Sequence, residues 1–229
     1  MSFVLTNDDG IDAPGIQALR EAVEQLHQQA VTIAPQAHLS GCGHQVTTTA
    51  PIQVDRRSPS EFAIAGTPAD CTRLALKHLC PEVKWVLSGI NAGGNLGADV
   101  YISGTVAAVR EAALNRVAGI AISQYRHRGR AIDWNLAATL TAKVLADLLV
   151  RPLEPGSFWN VNLPHLQPNE PLPELVFCPL CTQPLPIAYR VENDTYYYTG
   201  DYGSRQRDPG ADVAVCFAGQ IAVTQIRVG

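Results

Sequence analysis

Short apolar runs alternate along the chain with longer stretches in which apolar residues recur every three or four positions, a rhythm that predicts strands and helices in turn. Phe3 to Thr6 reads as a strand ending at Asn7-Asp8-Asp9-Gly10, and Pro14 then opens a helix with Ile16, Leu19, Val23 and Leu26 on its apolar side. Val31 to Ala34 is a second strand, stopped by Pro35 and followed by a polar loop from Gln36 to His44. Val46 to Val54 and Phe62 to Ile64 read as strands around a turn at Arg56-Arg57-Ser58-Pro59. Thr67-Pro68-Ala69-Asp70 predicts a helix start, with Thr67 as N-cap, Pro68 in the first helical position and Asp70 closing a capping-box pattern ahead of Leu74, Leu76 and Leu79.

Trp85 to Leu87 predicts a strand that runs into Ser88 to Gly97, a stretch with too many glycines for regular structure. A helix restarts near Thr105 and passes through Val109, Ala112 and Ala113. Val117 to Ser123 is a further strand, and Asp133 caps an amphipathic helix with Leu136, Leu140, Val144 and Leu148. Strands alternating with helices through residues 1–150 predict a doubly wound α/β core. Beyond Arg151 the pattern changes. Prolines at 152, 155, 164, 168, 171, 173, 179, 184 and 186 leave short strands such as Phe158 to Leu163 and Ile221 to Ile226. Residues 151–229 are therefore expected to form a β-rich segment that packs on the core and serves oligomer contacts rather than chemistry.

Bulk properties narrow the function. The 229 residues are 46% hydrophobic, enough for one substantial core, and the net charge of -4 comes without a basic stripe to track a polynucleotide backbone. No apolar run reaches the length of a membrane span, and the first residues lack the basic and apolar regions of a signal peptide, so a cytoplasmic protein with no membrane partner is expected. The six cysteines are too sparse for a disulfide scaffold and are expected as thiols; Cys178 and Cys181 form a lone CxxC without a second pair or spaced histidines. The Tyr196-Tyr197-Tyr198 run suits an interface or a half-buried strand better than base stacking.

The chemistry gathers in loops after strands, where ligands sit in an open α/β sheet. Asp8 and Asp9 are adjacent carboxylates that repel unless a cation lies beside them; equally, either could cap the following helix. A hard divalent ion, Mg²⁺ or Mn²⁺, suits Asp and Asn oxygens with a hydroxyl. Glycines at 89, 93, 94 and 97, with Asn91 and Asn95, let backbone N–H groups approach an anion, and Ser103-Gly104-Thr105 stands before a helix whose first N–H groups favour a phosphate. The loop fits neither the nucleoside triphosphate GxxxxGK[ST] pattern nor GxGxxG. A cation loop beside an anion loop is the arrangement that hydrolyses a phosphate ester. His44 is a candidate acid or base or equally a solvated loop residue, Cys42 a small filler, and Asp99 a structural cap.

Several motifs in order resemble the survival protein SurE family: Thr6 to Ile16 (TNDDGIDAPGI), Ala34-Pro35 with Ser40-Gly41, Gly66 to Cys71 (GTPADC), Ser88 to Asn91 (SGIN) and Asn95 to Val100 (NLGADV). The similarity continues more weakly through Asn160 to Pro164, Gly210 to Asp212 and Val223-Thr224. The resemblance implies a 5'/3'-nucleotidase with a Rossmann-like core, acting on nucleoside monophosphates and assembled as a homodimer or homotetramer through the C-terminal segment. It implies one divalent cation per subunit held by Asp8, Asp9, Ser40 and Asn91, with Asp8, Asp9 and Asn91 catalytic and Asn95, Ser103, Gly104 and Thr105 on the phosphate side. One departure is Ile102, which separates Tyr101 from Ser103-Gly104-Thr105 where the family usually has Tyr directly before Ser-Gly-Thr. A receiver-like regulator would place a phosphoacceptor Asp after its third strand, a haloacid-dehalogenase-type phosphatase would have Asp-x-Asp, and a silent nucleotide binder would share this site without turnover.

Overall fold

The computed structural model describes residues 2–127, 130–166 and 170–229; Pro168 lies outside them. A nine-stranded sheet runs in the order β3-β4-β2-β1-β5-β6-β7-β11-β8, with β1 (Phe3–Thr6), β2 (Ala30–Pro35), β4 (Glu61–Ile64), β5 (Trp85–Asn91), β6 (Ala118–Gln124) and β7 (Ser157–Leu163) mutually parallel. β3 (Val54–Ser58) and β11 (Ile221–Arg227) run antiparallel to their inner neighbours, and β8 (Leu175–Phe177) closes the far edge.

Helices α1 (Pro14–Gln25) and α4 (Trp134–Leu148) bury Ile16, Leu19, Leu140 and Val144 in one cluster with Leu5, Leu87 and Ile122. Helices α2 (Pro68–Leu74) and α3 (Gly104–Leu114) bury Cys71, Val106, Val109 and Ala112 in a second cluster with Val4, Val86 and Ala121. Successive residues of a strand point to opposite faces, so β1 alone divides Val4 from Leu5 between the two clusters. The buried strands β1, β5 and β6 therefore read as nearly continuous apolar runs.

The chain starts in β1, lays β2 and β4 to one side, then crosses back to lay β5, β6 and β7 on the other. The order reverses between β1 and β5, and in such sheets the crevice outside the strand carboxyl ends at that point binds ligand.

Three expectations change. Residues 46 to 53 form no strand: Thr67 Oγ1 holds the Gln45 carbonyl at 2.6 Å, and Asp70 accepts from the Thr47 N–H and hydroxyl at 2.9 and 2.8 Å. These bonds commit the segment to the start of α2. The strand begins instead at Val54 and takes in Arg56 and Arg57, expected in the turn, as an exposed charged edge strand. Second, the strand from Trp85 continues to Asn91 rather than stopping at Leu87. Gly89 permits this: its φ is +141°, and a Cβ there would lie 2.2 Å from the Ile122 carbonyl of β6. Third, the sheet does not end near residue 150. β7 joins it beside β6 and β11 pairs with β7 through six residue pairs, while the same C-terminal region forms helix α5 (Asp212–Phe217) and a separate hairpin of β9 (Tyr189–Glu192) and β10 (Thr195–Tyr198).

Candidate active site

The loop after β1 delivers Asp8 and Asp9 to the switch point, and its shape follows from Asn7, whose Nδ2 donates to the Gly10 carbonyl at 2.7 Å. Asp8 is 3% exposed. Its Oδ1 accepts from the Thr105 hydroxyl at 2.5 Å, and its carbonyl accepts the Leu39 N–H at 2.7 Å. The first bond ties the carboxylate to the start of α3; the second brings the Leu39–Cys42 turn, with Ser40 in it, against β1. That turn is held from the other side by Gly43, which donates to the Ile102 carbonyl at 3.1 Å.

Asp9 faces the end of β5. Its Oδ2 accepts the Ala92 N–H at 3.1 Å, and His38 Nδ1 lies 3.2 Å from its Oδ1. The adjacent Asn91 spends its Nδ2 on the Gly93 carbonyl at 2.8 Å, which leaves its Oδ1 as the free end of the amide. Thus Asp8 and Asp9 follow β1, Asn91 ends β5 beside the Ala92 N–H that Asp9 accepts, and Ser40 lies in the turn that the Leu39 N–H ties to Asp8.

Burial pushes the Asp8 carboxyl above its usual range, and the charge of Asp9 pushes the same way against the pull of the Thr105 bond. His38 is 63% exposed at its side chain, so solvent screens what it contributes to the pair. A cation would offset both causes that raise Asp8. The donors at hand are two carboxylates, an amide carbonyl and a hydroxyl, all hard oxygens of the kind Mg²⁺ and Mn²⁺ prefer. Among the described residues no group of three His, Cys, Asp or Glu side chains is arranged to hold a metal ion, so an ion here would rest on neutral oxygens as well as the two acids.

Helix α3 supplies the anion side. Ser103 is its N-cap, accepting from the Val106 N–H at 3.1 Å, and the N–H groups of Gly104 and Thr105 precede the first intrahelical bonds. A Cβ on Gly104 would lie 2.8 Å from Asp8 Cβ and 3.0 Å from Asp8 Oδ2, so helix start and carboxylate are in direct contact.

The match to known proteins now adds its weight. Residues 3–184 fit the family described as "Survival protein SurE". The chain belongs to the SurE family. A relative from Nostoc sp. named as a 5'-nucleotidase is 64% identical, and one from Synechocystis sp. with the same name is 52% identical, each alignment covering 100% of both chains. The 5'-nucleotidase SurE of Moorella thermoacetica is 34% identical over 100% of this chain and 90% of its own. The crystal structure of the SurE protein from Aquifex aeolicus superposes with a TM-score of 0.87 at 30% identity, covering 99% of this chain and 93% of that one. The fold is the Rossmann-like α/β sheet of that family.

Against the SurE motifs, the remaining residues sort by their bonds. Asn95 is buried and donates Nδ2 to Ser123 Oγ at 2.8 Å, while its main chain is gripped by Asn160 and Asn162 at 2.8 to 3.0 Å. Thr105 spends its hydroxyl on Asp8 and Ser103 on its own helix. Ile102 does not disturb the helix start: it is exposed beside exposed Tyr101, its N–H closes on Asp99 and its carbonyl holds Gly43. His44 points away from the acids to Glu111 at 2.8 Å. Asp99 caps the Leu96 N–H at 3.2 Å, as a structural cap.

Sequence reasoning passed over His38, although it lies two residues before Ser40 in the same polar loop. It gave Tyr202 and Arg205 no role and took Asp212 only as part of a weaker family motif; all three reach the Leu96–Asp99 turn from more than a hundred residues away.

Proposed function

We propose that the chain is a 5'-nucleotidase, a phosphomonoesterase that hydrolyses nucleoside 5'-monophosphates to nucleoside and phosphate, accepts 3'-monophosphates as well, and depends on one Mg²⁺ or Mn²⁺ per subunit. The observation behind this reading is the contact between the buried Asp8 carboxylate and the first turn of α3, which sets a cation-seeking group against an anion-seeking one. The names of the full-length relatives supply the nucleotide. Asp8, Asp9, Ser40 and Asn91 would hold the ion. When bound, it would neutralise phosphate charge and lower the pKa of water.

The chain's own groups have separate tasks. The Gly104 and Thr105 N–H groups receive phosphoryl oxygens, where fixed dipoles stabilise the charge that develops. Thr105 and the Leu39 N–H hold Asp8 in one orientation, from which it can orient the attacking water. Asn95 stiffens the glycine-rich loop between the two halves of the site. Self-association as a homodimer or homotetramer is supported by the β9–β10 hairpin, whose Tyr189, Val191, Tyr196 and Tyr198 are exposed.

Phosphate release from nucleoside 5'- and 3'-monophosphates, with Mg²⁺, Mn²⁺ or chelator, tests the reading. Release should need the metal, and Asp9→Asn should lower kcat about a hundredfold or more. Binding without release under every metal would replace the enzyme with a nucleotide-binding protein.

A further inference from the structure

Next to Asn91 the surface opens into a cavity of about 780 Å³, within the range of small-molecule sites and far larger than a phosphate needs. Gly93 and Gly94 form the side nearest the acids, and Gly93 is the residue whose carbonyl holds Asn91. The opposite wall is aromatic. Tyr125 stacks on Phe217 with ring centres 4.6 Å apart, and Tyr202 lies 6.5 and 6.3 Å from the two. On the rim, the exposed Arg207 sets its guanidinium 4.9 Å from the centre of the Phe217 ring.

This wall is fixed before anything binds. The Tyr202 hydroxyl donates to Asp99 Oδ2, and the fully buried Arg205 side chain covers one face of its ring at 4.8 Å. Tyr125 is itself only 8% exposed. A phosphate ester site has no need of apolar rings beside it; a flat heterocycle attached to the ester does, because every nucleobase has a π face that stacks on such rings and a polar edge that a guanidinium can reach.

We infer that this cavity is the nucleobase subsite, with Tyr125, Tyr202 and Phe217 as the stacking wall and Arg207 as the polar contact at its rim. The inference rests on the nucleotidase reading for the position of the phosphate. Gly93 and Gly94 lie between the two subsites, where a Cβ on Gly94 would meet the Tyr125 ring at 3.6 Å, an ordinary van der Waals contact, and Leu96 Cδ1 more tightly at 3.3 Å. Substrate discrimination then belongs to the loop after β6 and to the C-terminal segment, and phosphate chemistry to the loops after β1 and β5.

The test compares AMP with ribose 5-phosphate, which has the same ester and no base, for the wild type, Phe217→Leu and Arg207→Gln. Phe217→Leu keeps an apolar side chain in place of the ring, and Arg207→Gln alters only the exposed rim, so at least one variant folds. Each should lower the ratio of kcat/KM for AMP to that for ribose 5-phosphate, about tenfold for the lost ring, with the change in KM. An unchanged ratio in both variants overturns the subsite. Adenosine binding by calorimetry separates this inference from the catalytic one: if the wild type releases no phosphate from any ester, the nucleotidase reading falls. The subsite then stands if Phe217→Leu weakens adenosine binding about tenfold and falls if it does not.

Discussion

Gly104 is the residue at which the site accepts no side chain. Its missing Cβ would press on Asp8 and also come within 3.0 Å of Cys42 Sγ, well inside the 3.5–4.0 Å at which carbon contacts are favourable. Gly104→Ala should therefore displace the Asp8 carboxylate and lower kcat/KM at least about tenfold. Gly104 is the first residue of α3, where alanine's interior-helix advantage does not apply, so the overpacking should lower stability by about 1–3 kcal/mol while activity falls further. Activity and thermal unfolding measured on the same preparation separate the two effects. Thr105 allows a finer cut. It is fully buried and gives its hydroxyl to Asp8, so Thr105→Val leaves a buried carboxylate oxygen without its donor, at a cost of about 1–3 kcal/mol. Thr105→Ser keeps the donor and should recover most of both the stability and the turnover; a loss in Thr105→Ser with none in Thr105→Val would assign the effect to the methyl group instead.

Between elements, Glu111 on α3 plays the part that Asp8 plays in the site. It is 3% exposed, bonded by His44 from the Ser40 loop at 2.8 Å and by Arg73 from α2 at 2.9 Å. Burial alone would raise its pKa, but those two hydrogen bonds and the charges behind them hold it down to about 2. A folded pKa below the ordinary 4.5 means that this carboxylate stabilises the fold fully above pH 4.5 and loses its effect as pH falls toward about 2. The drop corresponds to about 3 kcal/mol at neutral pH. Glu111→Gln should then lower the denaturation midpoint most at pH 7 and progressively less below pH 4.5, and a gap that stays constant with pH would rule out the linkage. This connection was invisible in the sequence, where His44 read as either a candidate acid or base or a solvated loop residue, and nothing pointed to Glu111. Periodicity located α1, α3, α4 and the inner strands because burial against the sheet imposes it. It failed at residues 46–53, because Thr67 and Asp70 hold Gln45 and Thr47, and no local pattern reports a hydrogen bond to a distant cap.

At the scale of the molecule, proline punctuation made the C-terminal third look like an addition, whereas β7 and β11 complete the sheet and α5 anchors the active-site loop. Asp212 at the start of α5 accepts the Gly97 N–H at 2.7 Å and the Cys181 N–H at 2.8 Å. Arg205, whose side chain is wholly buried, donates to Asp99 Oδ2 at 2.9 Å and to the Leu96 carbonyl at 3.2 Å. The loop that delivers Asn95 is thus held in place by residues that follow it by a hundred positions or more. Asp8 and Asp9 were legible as a pair because they adjoin in sequence; this clamp was not, because only the completed sheet brings its halves together. Truncating one partner of a buried pair strands the other, typically at 3–5 kcal/mol, and Asp99 keeps Tyr202 and the Leu96 N–H, so Arg205→Ala should cost about 3 kcal/mol. Arg205→Lys restores the charge but not the fork that reaches Asp99 and Leu96 together, and should fall between wild type and Ala. Denaturant midpoints rank the three, and phosphate release well below the unfolding transition reads the loop itself. Activity falling in the same order as stability would make the C-terminal segment part of the working site, while stability lost with turnover intact would confine Arg205 to holding the fold.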